Sequence, residues 1–75
     1  MESIPFYHAD LLFTIFFEDD LEFVEVRAVL DLLLDEGFFS PDYPGDGEML
    51  DIHLEKESFT VWVSDFDVAI LRRQA

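Results

Sequence analysis

Cysteine is absent from this sequence, and basic residues are scarce. Without cysteine there is no disulfide, no thiolate metal site and no thiol nucleophile, which fits a reducing compartment. Four Lys and Arg stand against 18 Asp and Glu, so the chain of 75 residues has a formal net charge of −14. Phosphate groups and anionic lipids attract Lys and Arg. We therefore expect no direct contact with nucleic acid or with a membrane.

Long apolar stretches and a basic amino-terminal segment are also missing. The longest uncharged runs, such as residues 11–17, fall well short of the roughly 20 residues that a membrane-spanning helix needs. The first six residues have neither the basic region nor the small-residue cleavage site of a signal peptide. These absences predict a cytoplasmic protein.

Hydrophobic residues, in contrast, make up 51% of the chain and include nine Phe. Disordered acidic segments are poor in such residues, so the composition predicts a folded domain with a carboxylate-rich surface. The length allows a single domain, residues 1–75, with one small core. Self-repulsion among so many like charges opposes folding, which favours a role for the charge in binding a basic partner.

Hydrophobic periodicity predicts a strand, a helix and a β-hairpin in that order. Residues 2–9 are interpreted as a short lead-in, and residues 11–18 as an apolar, Phe-rich strand. Residues 21–36 have the length of a helix, with Asp20 as its N-cap and Gly37 as the glycine that ends it. Residues 37–48 hold every glycine and form a loop. Alternating residues over 49–55 and 58–64 predict the hairpin.

The segment 65–73 allows two interpretations. Ser64 followed by Asp67 resembles a capping box, and Arg72 and Arg73 stand where the carboxyl end of a helix favours cations. This pattern predicts a short helix, with a fourth strand as the alternative. The resulting order is β-α-β-β-α, an α+β domain with a helix packed on a small, mainly antiparallel sheet.

Two apolar stripes run along the predicted helix. The first is the expected core face: Phe23, Val26, Leu30, Leu33 and Leu34. The second lies between acidic residues: Leu21, Val24, Ala28 and Leu32. It is either buried on a second side of the helix or exposed as a seam for a partner or a second copy. Trp62 should point outward from its strand, where it is either an interface anchor or covered by a neighbouring segment.

Neither a metal site nor a catalytic site is predicted. Aligned as an EF-hand loop that starts at Asp42, the chain has Pro44 and His53 where ligands are required. His8 and His53 belong to no Ser-His-Asp, Gly-rich or HExxH pattern. A chain this short also has little depth for a pocket. We expect no cofactor, no metal and no enzymatic activity.

The carboxylates are the main functional signal. Two residues apart on a strand or four apart on a helix, they stand about 6–7 Å from each other, on the order of the spacing of phosphates along a nucleic-acid strand. Such a surface can occupy a groove built for DNA or RNA. The predicted partner-binding residues are Glu18, Asp19, Asp20, Glu22, Glu25, Asp31 and Asp35, with a second set of Asp51, Glu55, Asp65 and Asp67.

In small size, extreme acidity, lack of cysteine and α+β pattern, the chain resembles phage-type inhibitor proteins that mimic DNA. These include anti-CRISPR proteins, anti-restriction proteins and uracil-DNA glycosylase inhibitors. The resemblance covers the whole chain by composition and architecture and assigns no individual residue. It implies a non-enzymatic inhibitor that blocks the nucleic-acid site of a basic protein in a bacterial cytoplasm, most specifically an anti-CRISPR or other anti-defence protein.

Three alternatives remain at this point. The chain is an interaction subunit or homodimer that uses Leu21, Val24, Leu32 and Trp62, with the charge serving solubility. It is an immunity protein that caps a basic nuclease toxin. Or it binds a divalent cation weakly through Asp42, Asp46 and Glu48.

Overall fold

The computed structural model describes residues 1–39 and 46–73, apart from the side chains of Asp46 and Glu48. The elements in these ranges are β1 (Glu2–His8), β2 (Leu11–Phe17), α1 (Phe23–Asp35), β3 (Asp46–Leu54), β4 (Glu57–Ser64) and β5 (Asp67–Arg72). The strands form one sheet in the order β1-β2-β5-β4-β3. Neighbouring strands are antiparallel except β2 and β5, which are parallel. The α+β class is confirmed, whereas the predicted order is wrong, because the chain runs β-β-α-β-β-β.

The amino-terminal segment is a strand of the sheet and not the expected lead-in. β1 lies at the edge of the sheet and pairs only with β2, with Pro5 opposite Thr14. An edge strand tolerates proline because one of its sides needs no hydrogen-bond donors. The two-residue turn to β2 consists of Ala9 and Asp10, with φ angles of 52° and 63°. Neither Gly nor Asn marks this turn, so the sequence carries no hairpin signal there.

The predicted helix over residues 65–73 is wrong, and the alternative of a further strand is confirmed. Val68 and Ile70 are buried, while Ala69 between them faces the other side of the sheet. A helix of this length gains little from its own hydrogen bonds. Between β2 and β4 the segment instead forms ladders on both sides. Ser64 and Asp67 face each other across the β4–β5 turn instead of forming a capping box.

The helix is confirmed in place but begins later than expected. Its N-cap is Glu22 instead of Asp20, and it ends at Asp35. Gly37 has a φ of 80°, a conformation that favours glycine. The N–H of Gly37 donates to the carbonyl of Leu34 at 3.1 Å, and the next N–H donates to Leu33 at 3.0 Å, which is a Schellman motif.

The core lies between α1 and one face of the sheet. The helix buries Val26, Val29, Leu30 and Leu33 in it. The core face of the helix therefore differs from the predicted one: Val29 lies in the core, whereas Phe23 is 66% exposed. The strands contribute alternate residues, among them Ile15, Val61 and Ile70. Phe39, just beyond the helix, fills the core with its ring centroid 4.9 Å from those of Phe6 and Phe13.

We predict that replacing Ala9 with Asn and Asp10 with Gly together stabilises the protein. Asn-Gly adopts two consecutive positive φ angles at low cost, whereas Ala does not. We expect a gain of about 1 kcal/mol and a rise in melting temperature of about 4–8 °C, measured by circular dichroism.

Lys56→Gly is the matched control for this double substitution. Lys56 lies in the equally short β3–β4 turn, where Glu55 and not Lys56 has a positive φ. Glycine should bring no gain there. A melting temperature that rises with the control but not with the double variant would contradict the turn geometry.

Candidate binding surfaces

Carboxylates from three parts of the chain lie together at one end of the sheet. This end holds the connection from β2 to α1, the first turn of the helix, and the β3–β4 turn. We call the group the acidic end; its members are Glu18, Asp19, Asp20, Glu22, Glu25, Glu55 and Glu57. The carboxyl end of β5 reaches the same place, because Arg72 pairs with Phe59 near the start of β4.

Arg72 joins the segments of the acidic end. Its Nη2 donates to both carboxylate oxygens of Glu25, at 2.9 and 3.0 Å, and its Nε donates to Asp20 at 3.4 Å. Its Nη1 donates to Glu57. The guanidinium carbon also stands 5.9 Å from the ring centroid of Phe59. One guanidinium therefore holds three carboxylates in place and neutralises only part of their charge.

Glu25 is fixed from a second direction by the start of the helix. The backbone N–H of Glu22 donates to Glu25 Oε1 at 3.0 Å, as the third helical residue accepts in a capping box. This hydrogen bond and, less strongly, the Arg72 guanidinium lower the pKa of Glu25 below its ordinary value of 4.5, against the opposing effect of burial. The hydrogen bond to Glu25 also raises the pKa of Arg72. Both groups are thus ionised near neutral pH.

Only part of the predicted partner-binding set lies in this group. Glu18, Asp19, Asp20, Glu22 and Glu25 of the first set come together there with Glu55 of the second. Asp31 and Asp35 lie on the exposed side of α1, and Asp31 pairs with Arg27 at 3.2 Å. Asp51 lies on the sheet and pairs with Arg73 at 2.9 Å. Asp65 and Asp67 lie at the opposite end, around the β4–β5 turn.

The predicted apolar seam is not a continuous exposed stripe. Leu21 is 5% exposed and belongs to the core, and Leu32 packs against it. Val24 is 69% exposed. Val24 and Ala28 line a shallow cleft of about 340 Å³ between the helix and the β3–β4 hairpin. Leu21 precedes the N-cap Glu22, so it does not follow the helical periodicity that placed it on the same stripe as Val24.

The face of the sheet opposite α1 is a second surface, which we call the open face. One residue from each strand forms a row across it: Ser3, Phe16, Ala69, Trp62 and Met49. Trp62 is 50% exposed and Met49 66%. The outward direction of Trp62 is confirmed, and the carboxy-terminal segment, one of the neighbours that could cover it, is a strand of the same sheet. The alternation of apolar and polar residues over 58–64 predicts the direction of Trp62. The sequence does not predict the full extent of the open face, because β1 and β5 carry no clear strand pattern.

Gly47 allows Trp62 to lie close to the backbone of β3. The register between β3 and β4 shifts between Asp46 and Glu48, and Gly47 in this bulge has a φ of 80°. A Cβ atom at Gly47 would stand 3.3 Å from Nε1 of Trp62. The bulge therefore supports the indole from one side.

The two histidines lie at the surface. His53 Nδ1 and Ser58 Oγ are 2.8 Å apart, a cross-strand hydrogen bond that ties β3 to β4. His8 lies at the end of β1, with its ring centroid 6.4 Å from that of Phe39. Among the described residues no group of three or more His, Asp or Glu side chains could hold a metal ion. Of the residues considered for a cation, Asp42 lies outside the described residues, and so do the side chains of Asp46 and Glu48.

Protein-family models, curated proteins and solved structures were each compared with this chain, and none of them matches. Within the described ranges no helix is both long and apolar enough to cross a membrane.

We predict that Arg72→Met lowers the melting temperature clearly more than Arg27→Met does. Arg72→Met leaves three neighbouring carboxylates without their shared cation, and one of them, Glu25, is only 21% exposed. Arg27 forms a single exposed pair with Asp31, so its loss should cost less than about 0.5 kcal/mol. Equal melting temperatures for the two variants, measured by thermal unfolding, would show that Arg72 does not hold the acidic end together.

We predict that the stability difference between the wild type and Glu25→Gln depends on pH. The folded-state pKa of Glu25 is lowered, so its stabilising contribution is complete above its ordinary value of 4.5 and is lost as the pH falls through the lowered pKa. Glu25→Gln should therefore be less stable than the wild type at neutral pH, and the difference should shrink in acid. Urea unfolding of both proteins across this range measures it, and a difference that grows in acid would contradict the sign.

Proposed function

We propose that this protein is a non-enzymatic inhibitor whose acidic end blocks a positively charged nucleic-acid-binding site on a bacterial protein or complex. An anti-CRISPR or other anti-defence role in the host cytoplasm is the specific form of this proposal. The observation that carries it is the meeting of Asp20, Glu25 and Glu57, from three chain segments, on one guanidinium at an end of the sheet that holds four further carboxylates.

The cations at the acidic end are too few to cancel its charge. Arg72 is shared among three carboxylates, and the amino-terminal ammonium pairs with Asp19 at 3.1 Å. Glu18, Glu22 and Glu55 form no ion pair within the described part of the chain. The surplus negative charge creates a local field that attracts a basic surface and speeds its approach.

Asp20, Glu25 and Glu57 are also held in place before any partner arrives. Arg72 links α1, β4 and the β2–α1 connection, and the helix cap orients Glu25. Side chains that are already ordered lose less conformational entropy on binding. A fixed array of negative charge, unlike a flexible acidic tail, can present carboxylates at set positions to the Lys and Arg side chains that bind phosphates.

The proposal is tested with a variant that carries a double charge reversal at the acidic end, Glu18→Lys with Glu55→Lys. The measurement is how well this variant still binds and inhibits the target. These residues are chosen because Asp19 and Asp20 already form ion pairs within the fold. The target is first captured from a bacterial lysate with the tagged protein and released with DNA or high salt. We expect the reversal to weaken binding to that target on the order of 10- to 100-fold. Inhibition by the wild type should weaken as salt increases.

The matched control is Asp35→Lys with Glu36→Lys, which changes the net charge equally. Both positions lie at the carboxyl end of α1, away from the acidic end, where cations suit the helix dipole. We expect this control to keep most of its inhibition. Equal losses in both double variants would mean that net charge alone matters, and inhibition that resists salt and both reversals would remove the proposal.

A further inference from the structure

The open face has the composition of a surface that is normally covered. Tyr7, Leu12, Met49 and Trp62 are each about half exposed or more, and Phe16 lies partly exposed among them. They come from four different strands and lie on one side of the sheet. Scattered apolar residues are normal on a protein surface, whereas Phe16, Ala69, Trp62 and Met49 form one apolar row across four strands, and an exposed apolar row that contains a tryptophan is typical of an interaction site.

The charge of the open face differs from that of the rest of the molecule. Its described strand positions carry two carboxylates, Asp51 and Asp67, and the residues just beyond β2 and β5 on the same side, Glu18 and Arg73, add one charge of each sign. Asp51 and Arg73 pair with each other at 2.9 Å. The face is therefore nearly neutral on a chain whose net charge is −14. A basic partner would gain little here, while a surface of the same nearly neutral kind can pack against it without burying unpaired charge.

The size of the open face suits a small dimer. Five strands spaced about 4.8 Å apart and about six residues long give a face of roughly 24 by 20 Å. Two such faces in contact would bury on the order of 1,000 Å² in total even if both were flat, which reaches the lower limit of a specific interface. Packing of sheet on sheet is also a common way to cover such faces.

The row across the open face contains a ridge beside a groove. Ala69 on β5 lies between Phe16 on β2 and Trp62 on β4, so a small side chain is flanked by two large aromatic ones. The two aromatic positions are about 10 Å apart, twice the strand spacing. A two-fold axis brings the same patch of both copies together, and the Trp62 ridge of one copy can then fill the groove over Ala69 in the other.

From these observations we infer that the open face binds a second copy of this chain, forming a sheet-on-sheet homodimer centred on Trp62. The helices lie on the outside of this dimer, and both acidic ends remain accessible. The interface differs from the helix seam suggested by the sequence, because Leu21 is buried in the core. This inference does not depend on the inhibitor activity proposed above, since it concerns the protein alone.

Sedimentation equilibrium of the purified protein at low and high salt tests the dimer. We expect the apparent mass to rise from that of a monomer to that of a dimer as the protein concentration increases. Association should strengthen as salt increases, because screening reduces the repulsion between two strongly negative copies. The basic partner of the inhibitor should show the opposite salt dependence. Trp62 is the only tryptophan, so its fluorescence should shift to the red as the dimer dissociates on dilution.

Trp62→Ser should weaken association at least about 30-fold, as expected for the loss of a central aromatic anchor. Val24→Ser, on the exposed side of α1, is the control and should leave association unchanged. Far-ultraviolet circular dichroism establishes that both variants fold. The wild-type fluorescence titration tests the interface without any substitution.

Three results would overturn the inference. One is a monomeric mass at all concentrations in high salt, with Trp62 accessible to quencher throughout. Another is a dimer that Val24→Ser dissociates and Trp62→Ser does not, which would place the interface on the helix. The third is a monomer in which Trp62 becomes shielded only when a basic protein is added, which would assign the open face to that partner.

Discussion

The structure depends on the packing of one helix of 13 residues against one face of a five-stranded sheet. Val26, Val29, Leu30 and Leu33 give the strands their only helical cover among the described residues, and they can cover a single face. The alternate side chains of every strand are therefore left on the other side. The same packing places the amino end of the helix beside the β3–β4 turn, where Arg72 joins them. The two surfaces of interest, one apolar and one acidic, both follow from this arrangement.

The elements that the sequence predicted are those with strong periodicity. The strands around residues 11–18, 49–55 and 58–64 and the helix over 21–36 alternate or repeat clearly enough to be recognised, and Gly37 marks the helix end. β1 was missed because Pro5 argues against a strand unless that strand is known to lie at an edge. For β5 the local pattern predicts a helix, because Ser64, Asp67 and Arg72 stand at helix-terminal spacings. Only the pairing of residues 67–70 with β2, more than 50 positions earlier in the chain, selects the strand.

The acidic end was partly predictable for a simple reason. Glu18 to Glu25 are neighbours in the sequence, so any fold keeps them close. Glu55 and Glu57 join them only through the position of the β3–β4 turn, which no local pattern contains. Arg72 shows the same limit: its charge was noted as suited to a helix end, whereas its role as a bridge between three segments comes from the central place of β5 in the sheet. The exposed position of Trp62 was predictable because alternation alone determines the face on which a strand residue lies.

The central position of β5 also has a consequence for the order of events during synthesis. β5 separates β2 from β4, so on a ribosome the β1–β2 and β3–β4 hairpins emerge before the strand that joins them. Until residues 67–72 have emerged, the inner edges of both hairpins have no partner strand and can pair with other chains. Pairing across so long a sequence separation is slow. Nascent chains of this protein are therefore open to misassociation until residues 67–72 have emerged, and the strand order makes closure of the sheet wait for that one segment.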